Sequence, residues 1–205
     1  MERLNWSGFR LLEVLGDLFL IGLLKGCIVE IGIGESSGLL KNLAVVHKRK
    51  IFHCDISKNK LQTYQNKGYF GDNLIFLDEE SIVDYSGVQC ILYGGSSDTF
   101  FDQIKLPPVA MGFIDGCHNY EQVKRDFNNL LQYVVPDGVV FLHDTFPISE
   151  DYVQCEARGG TVYKLRQDLE KTGGLDCFTF TKTVGDSMGI TMVRKKKTNL
   201  PYYQE

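Results

Sequence analysis

The feature that most constrains the fold of this chain is the alternation of short apolar, β-rich runs with helical stretches. Five of the runs are predicted to be strands, at residues 27–31, 51–54, 89–93, 109–114 and 139–142. The run Val139-Val140-Phe141-Leu142 is apolar throughout, as expected of a strand buried on both faces of a parallel sheet. Strands that alternate with helices in this way predict a doubly wound α/β domain with a mainly parallel sheet.

The C-terminal part of the chain has a different pattern. Phe178 and Phe180 alternate with threonines, Gly185 and Asp186 supply a turn, and the alternation then resumes up to Met192. A period of two on both sides of a turn predicts an antiparallel hairpin. We therefore expect a seven-stranded sheet that ends in this hairpin. The segment 58–88 is less regular: residues 58–66 are predicted to be helical, and the apolar run 74–77 has no assigned place.

The length of the chain suits one domain, with a helical segment at 1–25, a core at 26–195 and a tail at 196–205. Residues 11–24 are rich in apolar side chains, but Glu13 and Asp17 interrupt them. This segment is too short and too charged to span a bilayer, so an amphipathic helix packed on the domain is predicted.

Composition and charge argue against several classes of protein. With 43% hydrophobic and 23% charged residues, the composition is that of a globular domain, and a net charge of −4 gives no basic field for nucleic acid. The six cysteines form no C-x-x-C pair and no framework typical of a small secreted domain. Reduced cysteines, and hence a cytoplasmic location, are predicted.

A glycine-rich turn, Gly32-Ile33-Gly34-Glu35-Ser36-Ser37-Gly38, follows the first predicted strand. Glycines there let a ligand approach the backbone at the carboxyl end of the strand. Asp55 ends the second strand and is placed to accept hydrogen bonds from ribose hydroxyls. A dinucleotide site has a similar pattern, but these glycines read G-x-G-x-x-x-G and Glu30 precedes them by two residues. An acid at that position suits a cationic amino-acid cofactor better than a pyrophosphate.

Two linked motifs follow the fourth and fifth predicted strands. The first is Ile114-Asp115-Gly116-Cys117-His118-Asn119-Tyr120, and the second is Pro136-Asp137-Gly138 before a strand that ends His143-Asp144. Asp115 and Asp144 each come at the end of a parallel strand. Both carboxylates are therefore predicted to lie at the same edge of the sheet, where ligands bind in this topology.

The helix between the two motifs has apolar residues at spacings of three and four. Asn119 is its predicted N-cap, and Gln122 is expected to complete a capping box. Glu121 and Arg125 can pair at i,i+4, so Glu121 and Asp126 are predicted to lie on the surface.

The two motifs closely resemble those of class I S-adenosylmethionine-dependent methyltransferases of the methyltransferase domain 24-like family. The family pattern is I-D-G-x-H-x-Y-x-x-V-x-x-D, followed by P-G-G and a strand ending in H-D. The glycine turn and the segment Gly94-Gly95-Ser96 look like the family's other landmarks, so the resemblance spans about residues 26–195. The chain departs from the pattern at Asp137 and at Cys117, where many relatives carry an acid.

The resemblance implies a Rossmann-like methyltransferase fold and a role for each matching residue. Glu30, Gly32 and Gly34 would line the methionine part of S-adenosylmethionine, Asp55 would bind its ribose, Ser96 with Ser97 or Asp98 would lie near the adenine, and Asp115 would also belong to the cofactor site. The implied acceptor is a hydroxyl group on a small molecule or a saccharide.

Methyl transfer to an alcohol is an in-line displacement in which the acceptor also loses its proton. His118 is the predicted base, and Asp115 and Asp144 are the other predicted catalytic residues. The two carboxylates also suit Mg²⁺, and participation of a metal stays open. His143 is predicted to be structural, hydrogen-bonded to the backbone. His47 and His53 lack a supporting group of residues and are predicted to be structural as well.

Three functions remain open from the sequence. They are O-methylation, an NAD-dependent oxidation on a similar sheet, and a methyltransferase-like domain that binds cofactor or a partner without catalysis. The Asp115–His118 and His143–Asp144 pairs argue against the oxidoreductase, and the intact acidic residues argue against the non-catalytic domain. The predicted substrate-facing segments are the N-terminal helix and the loop 145–160, which carry Trp6, Phe146, Tyr152 and Arg158. A homo-oligomer also stays open.

Overall fold

The computed structural model describes residues 8–20, 24–78, 86–154, 159–181 and 188–196. In chain order, its helices and strands are α1 (Gly8–Leu20), β1 (Cys27–Ile31), α2 (Ser36–Val46), β2 (Ile51–Asp55), α3 (Lys58–Asn66), β3 (Leu74–Asp78), β4 (Cys90–Gly94), α4 (Ser97–Gln103), β5 (Val109–Ile114), α5 (Tyr120–Tyr133), β6 (Val134–His143), α6 (Glu150–Gln154), α7 (Val162–Leu169), β7 (Leu175–Phe180) and β8 (Ile190–Lys195). Trp6, Arg158 and the predicted turn at Gly185 and Asp186 lie outside the described residues.

The described strands form one sheet in the order β3-β4-β2-β1-β5-β6-β8-β7. The first six are parallel, and β8 runs antiparallel to both β6 and β7. This confirms the predicted doubly wound fold with its C-terminal hairpin. The sheet has eight strands rather than the predicted seven, because Leu74–Asp78 pairs with β4 as a parallel edge strand. Only Leu77 of this strand is fully buried, which explains its weak sequence signal.

Helices cover both faces of the sheet and bury two hydrophobic clusters. One face packs against α4, α5 and α7, with Phe100, Phe127 and Leu165 at its centre. The other packs against α1, α2 and α3, where Leu12 and Leu40 are fully buried. The predicted N-terminal helix is thus present and packs on the body of the protein. Among the described residues, no helix combines the length and the apolar character needed to cross a membrane.

The segment between α5 and the fifth predicted strand differs from expectation. The fifth strand is predicted at 139–142, but β6 begins at Val134, directly after α5 ends at Tyr133. The register passes from Val109↔Val134 to Met111↔Val139, so Pro136-Asp137-Gly138 lies in an irregular part of the strand. Asp137 adopts a φ of 65° there.

The strand order reverses at β1, which lies between β2 and β5. Loops that leave the carboxyl ends of β1 and β5 therefore diverge and leave a crevice between them. In open parallel sheets, such a crevice is where ligands bind. The fold thus brings the glycine turn after β1 together with Asp115 after β5.

Candidate active site

A cavity of about 530 Å³ opens at this crevice, within the range of about 300–1,000 Å³ that is typical of small-molecule sites. It is lined by Ile31, Gly32, Cys54, Asp55, Ile56, Ser57, Lys60, Ser96, Ser97, Asp115, Gly116, Cys117, Gln122 and Asp126. Five predicted cofactor residues are therefore brought together: Gly32, Asp55, Ser96, Ser97 and Asp115. The other two, Glu30 and Gly34, do not line it.

Gly32 lies where two loops come closest. Its φ is +84°, and a Cβ atom on it would lie 2.2 Å from the backbone oxygen of Asp115. The backbone N–H of Asp115 donates to the carbonyl of Ile31 at 2.8 Å, which joins the ends of β1 and β5. Both the conformation and the close approach require glycine, so this residue sets the floor of the cavity.

Asp55 anchors the next part of the cavity wall. Its Oδ2 accepts hydrogen bonds from the backbone N–H of Ile33 at 3.1 Å and from Lys60 Nζ at 3.2 Å. Its Oδ1 accepts from the backbone N–H of Ser57 at 2.8 Å. Sequence reasoning missed Lys60, whose one signal is its place in the first turn of the helix that follows Asp55. The carboxylate of Asp55 therefore orders the loop as well as facing the cavity.

The far wall of the cavity combines α4 and α5. Ser96 caps α4, since its Oγ accepts from the backbone N–H of Thr99 at 3.1 Å. Gln122 Nε2 donates to Ser97 Oγ at 3.1 Å and to Asp126 Oδ1 at 3.0 Å. Its side chain therefore joins the two helices and does not complete the capping box expected at Asn119. Asp98, the predicted alternative to Ser97, does not line the cavity.

The prediction that Asp126 lies on the surface is wrong. Its side chain is 1% exposed and lines the cavity, because α5 packs against the start of α4. Burial raises the pKa of its carboxyl, partly opposed by hydrogen bonds from Ser97 and Gln122. The i,i+4 pattern concerns α5 alone and did not predict this contact between helices. Arg125, the predicted partner of Glu121, lies 3.5 Å from Asp98 on α4.

Glu30 lies beneath the glycine turn and is not among the residues that line the cavity, and its place at the methionine part of the cofactor stays a prediction. Its Oε1 accepts from Ser36 Oγ at 2.6 Å, and its Oε2 lies 2.5 Å from His53 Nδ1. Glu30 is the fourth of the five residues of β1, and its carboxyl group points into the space under the turn, where these two groups satisfy it. Gly34 is further out on the turn, where a Cβ atom would meet open space.

The predicted catalytic residues form one cluster at the carboxyl edge. His118 Nε2 lies 3.0 Å from Asp144 Oδ2 and 3.9 Å from Asp115 Oδ1. His143 Nδ1 lies 3.1 Å from Asp115 Oδ1 and 3.1 Å from Asp144 Oδ1. Two carboxylates and two imidazoles therefore share a small volume beside the cavity. Asp144 has a φ of 57°, a strained conformation of the kind that occurs at functional sites.

The prediction of a backbone-bonded, structural His143 does not match this geometry. The register pairs Ile114 with Leu142, so Asp115 and His143 are the next residues on neighbouring strands and come side by side. Burial alone would raise the pKa of Asp115 and of Asp144, but hydrogen bonds from His118 and His143 outweigh it and lower both pKa values. Both carboxyls are therefore held as carboxylates.

Comparisons with known proteins agree with this arrangement. Residues 29–145, more than half of the chain, match a protein family described as a methyltransferase domain. No protein of curated function matches the sequence. The matched residues include both linked motifs and all the residues that line the cavity.

Solved structures share the fold at low sequence identity. The O-methyltransferase TomG from Streptomyces achromogenes, in complex with SAM, has a TM-score of 0.66 at 16% identity, over 92% of this chain and 79% of TomG. An O-methyltransferase from Bacillus cereus, in complex with SAH, has a TM-score of 0.65 at 14% identity, over 92% and 80% of the two chains. MycE, in complex with Mg, SAH and mycinamycin VI, has a TM-score of 0.57 at 15% identity, over 95% of this chain and 51% of MycE.

Proposed function

Since the chain belongs to the family of methyltransferase domains and is a class I S-adenosylmethionine-dependent methyltransferase, we propose that it methylates a hydroxyl oxygen of a small molecule or saccharide. The observation that carries this proposal is the cluster of His118, His143, Asp115 and Asp144 beside the cavity. An oxygen acceptor has to lose a proton, and this cluster can take it. The names of the similar O-methyltransferases favour the same acceptor class.

S-adenosylmethionine would be held in this cavity, with Gly32 at its methionine part and Asp55 at its ribose. The side chain of Asp55 would accept hydrogen bonds from the ribose hydroxyls, and the contact with Lys60 holds this side chain in place. The adenine lies at the wall formed by Ser96, Ser97 and Gln122. This orientation directs the methyl group towards Asp115, where the catalytic cluster begins.

In the transfer, the methyl carbon leaves sulfur and bonds to the acceptor oxygen, while the proton of that hydroxyl passes to His118. The products are S-adenosylhomocysteine and a methyl ether. Asp144, 3.0 Å from His118 Nε2, orients the imidazole and stabilises the imidazolium that forms. Positioning of the two reactants in line supplies much of the remaining acceleration.

The same cluster fits a divalent cation. Asp115, His118 and Asp144 each offer one ligand atom, and these atoms all lie within 4.8 Å of one another. Two carboxylates suit Mg²⁺, and an imidazole among the ligands also suits Mn²⁺. A cation held there would lower the pKa of the acceptor hydroxyl. With a cation bound, His118 would be one of its ligands and not the base. Experiment can distinguish these two roles of His118.

The test is an acceptor screen with the whole chain, in which S-adenosylhomocysteine formation is measured for catechols, plant phenols and monosaccharides. His118→Ala should lower turnover about 100-fold or more, while the affinity for S-adenosylmethionine stays unchanged. His47→Ala is a matched control, since His47 also pairs with a carboxylate, Asp17, but lies away from the cavity.

Three outcomes would overturn parts of the proposal. Wild-type turnover in His118→Ala would exclude His118 as the base and as a needed ligand. Full activity in chelator, with no response to added Mg²⁺ or Mn²⁺, would exclude the cation. Binding of S-adenosylmethionine with no methylation of any acceptor oxygen would favour the non-catalytic domain.

A further inference from the structure

A buried acid–histidine pair lies beneath the glycine turn, outside the residues that line the cavity. Glu30 and His53 are register partners on the neighbouring strands β1 and β2. His53 Nδ1 lies 2.5 Å from Glu30 Oε2, and both side chains are fully buried. Burying such a pair carries a large desolvation cost, and apolar side chains would fill a core at least as well. The pair therefore indicates a role beyond packing.

The charge state of the pair supports an ionic contact. Burial alone would lower the pKa of His53, but its contacts with Cys90 and Glu30 outweigh burial and raise the pKa to about 9. His53 is therefore an imidazolium at neutral pH and compensates the charge of Glu30. Without this compensation, Glu30 would be an unpaired buried carboxylate, which is strongly unfavourable.

The second oxygen of Glu30 connects the pair to α2. Ser36 is the first residue of α2, is fully buried, and donates its hydroxyl to Glu30 Oε1 at 2.6 Å. Glu35 precedes the helix but makes no side-chain capping hydrogen bond. The contact between Ser36 and Glu30 is therefore a side-chain anchor of the first turn of α2, beside the hydrogen bond that Ser37 Oγ accepts from the backbone N–H of Gly34 at 3.0 Å.

Strand β2 holds the glycine turn with three consecutive residues. His53 acts through the carboxylate of Glu30 and the hydroxyl of Ser36. The carbonyl of Cys54 accepts from the backbone N–H of Gly32 at 2.8 Å. The carboxylate of Asp55 accepts from the backbone N–H of Ile33 at 3.1 Å. The turn is thus fastened at its start, its middle and its end from the same strand.

We propose that His53 is a positioning residue for cofactor binding, which fixes the glycine turn through Glu30 and Ser36. His53 touches neither the cofactor nor the acceptor. It holds the turn in its bound shape before the cofactor arrives, so that binding does not have to order it. This inference rests on the proposed placement of the cofactor's methionine part over the turn.

The test compares His53→Leu, His53→Asn and Ser36→Ala by calorimetric titration with S-adenosylhomocysteine, which needs no acceptor. His53→Leu removes the donor to Glu30, and Kd should rise about 10- to 100-fold. Asparagine can place an amide N–H near the position of Nδ1, so His53→Asn should recover much of the affinity. Ser36→Ala cuts the link while leaving the pair intact, and Kd should rise about tenfold.

His47 provides the matched control at the other end of α2. Its Nε2 lies 2.6 Å from Asp17 Oδ1, a histidine–carboxylate contact of similar length, and His47 caps the C-terminal end of the helix. His47→Leu should therefore lower the melting temperature without changing Kd. A merely structural role of His53 predicts that His53→Leu and His47→Leu change Kd equally little once both proteins are folded.

The outcomes separate this inference from the proposed function. If the wild-type protein does not bind S-adenosylhomocysteine, the proposed cofactor site is wrong. If the wild type binds, and His53→Leu and Ser36→Ala bind as tightly as the wild type, the positioning role of His53 is wrong while the cofactor site stands. If His53→Leu does not fold, Ser36→Ala still decides, because it leaves the His53–Glu30 pair intact and removes only the link from Glu30 to α2.

Discussion

Replacing Gly32 with alanine should both destabilise the protein and abolish cofactor binding. Gly32 has a φ of +84°, which an L-residue adopts at a cost, and its missing side chain faces the carbonyl of Asp115. The added Cβ would lie 2.2 Å from that oxygen, a backbone atom that no side-chain rotation can move away. Relief of this clash requires β1 and β5 to separate at their carboxyl ends.

The expected loss of stability follows from these two contributions. An L-residue with positive φ costs about 1–2 kcal/mol, and an extra carbon in a filled space costs about 1–3 kcal/mol. Their sum, about 2–5 kcal/mol, is a large part of the roughly 5–15 kcal/mol that stabilises a typical domain. For a chain of this size, the melting temperature should fall by about 4–20 °C.

Gly34→Ala is the matched control for this experiment. Gly34 belongs to the same turn, has no positive φ, and has no atom within 4 Å of an added Cβ. Its free energy of unfolding should change by less than about 0.5 kcal/mol. Urea unfolding and titration with S-adenosylhomocysteine measure both effects. A Gly32→Ala protein as stable as the wild type, or equal losses in the two variants, would refute the close approach of β1 and β5.

Other predictions follow from single contacts. Asp55→Asn should raise the Kd of S-adenosylhomocysteine about tenfold, because the amide is a poorer acceptor for ribose hydroxyls; unchanged affinity would refute the ribose role. Gln122→Ala should weaken the same binding, because Ser97 and Asp126 lose the donor that holds them in the cavity wall; titration of this variant with an unchanged Kd would contradict that. Asp144→Asn should lower Mn²⁺ affinity, measured by electron paramagnetic resonance, and equal affinity would show that Asp144 is not a ligand. The pKa of His53 is raised from 6.5 to about 9 on folding, so its charge contributes stability that is fully present below about pH 6.5 and is lost as the pH rises through about 9. Urea unfolding should therefore show a loss of stability across this range in the wild type that is absent from His53→Asn.

The sequence was sufficient for the parts of the fold that depend on local patterns. Each predicted parallel strand is present because it is an apolar run that helices bury on both faces. The hairpin is present because alternation with a period of two fits a strand and does not fit a helix. The edge strand β3 was missed because its side chains are mostly half-buried, so its run of apolar residues is short. The irregular start of β6 was missed because Pro136 and Gly138 normally end regular structure.

The position of a site residue was predictable where the residue ends a strand. It was not predictable where the packing of one element on another determines which side chains meet. Asp55, Asp115 and Asp144 follow strands whose carboxyl ends meet, so their grouping follows from topology alone. The contact of His143 with Asp115 depends on the register of β5 and β6, which the sequence does not specify. The burial of Asp126 depends on how α4 packs against α5, and helical periodicity carries no information about that contact.

The central claim is that the cavity at the β1–β5 crevice binds an adenosyl amino-acid cofactor. It is tested most directly by parallel calorimetric titrations of the whole wild-type chain with S-adenosylmethionine, S-adenosylhomocysteine and NAD, with and without Mg²⁺. The account predicts one site with micromolar affinity for both adenosyl compounds and none for NAD. Binding of NAD alone, or of none of the three, would contradict it.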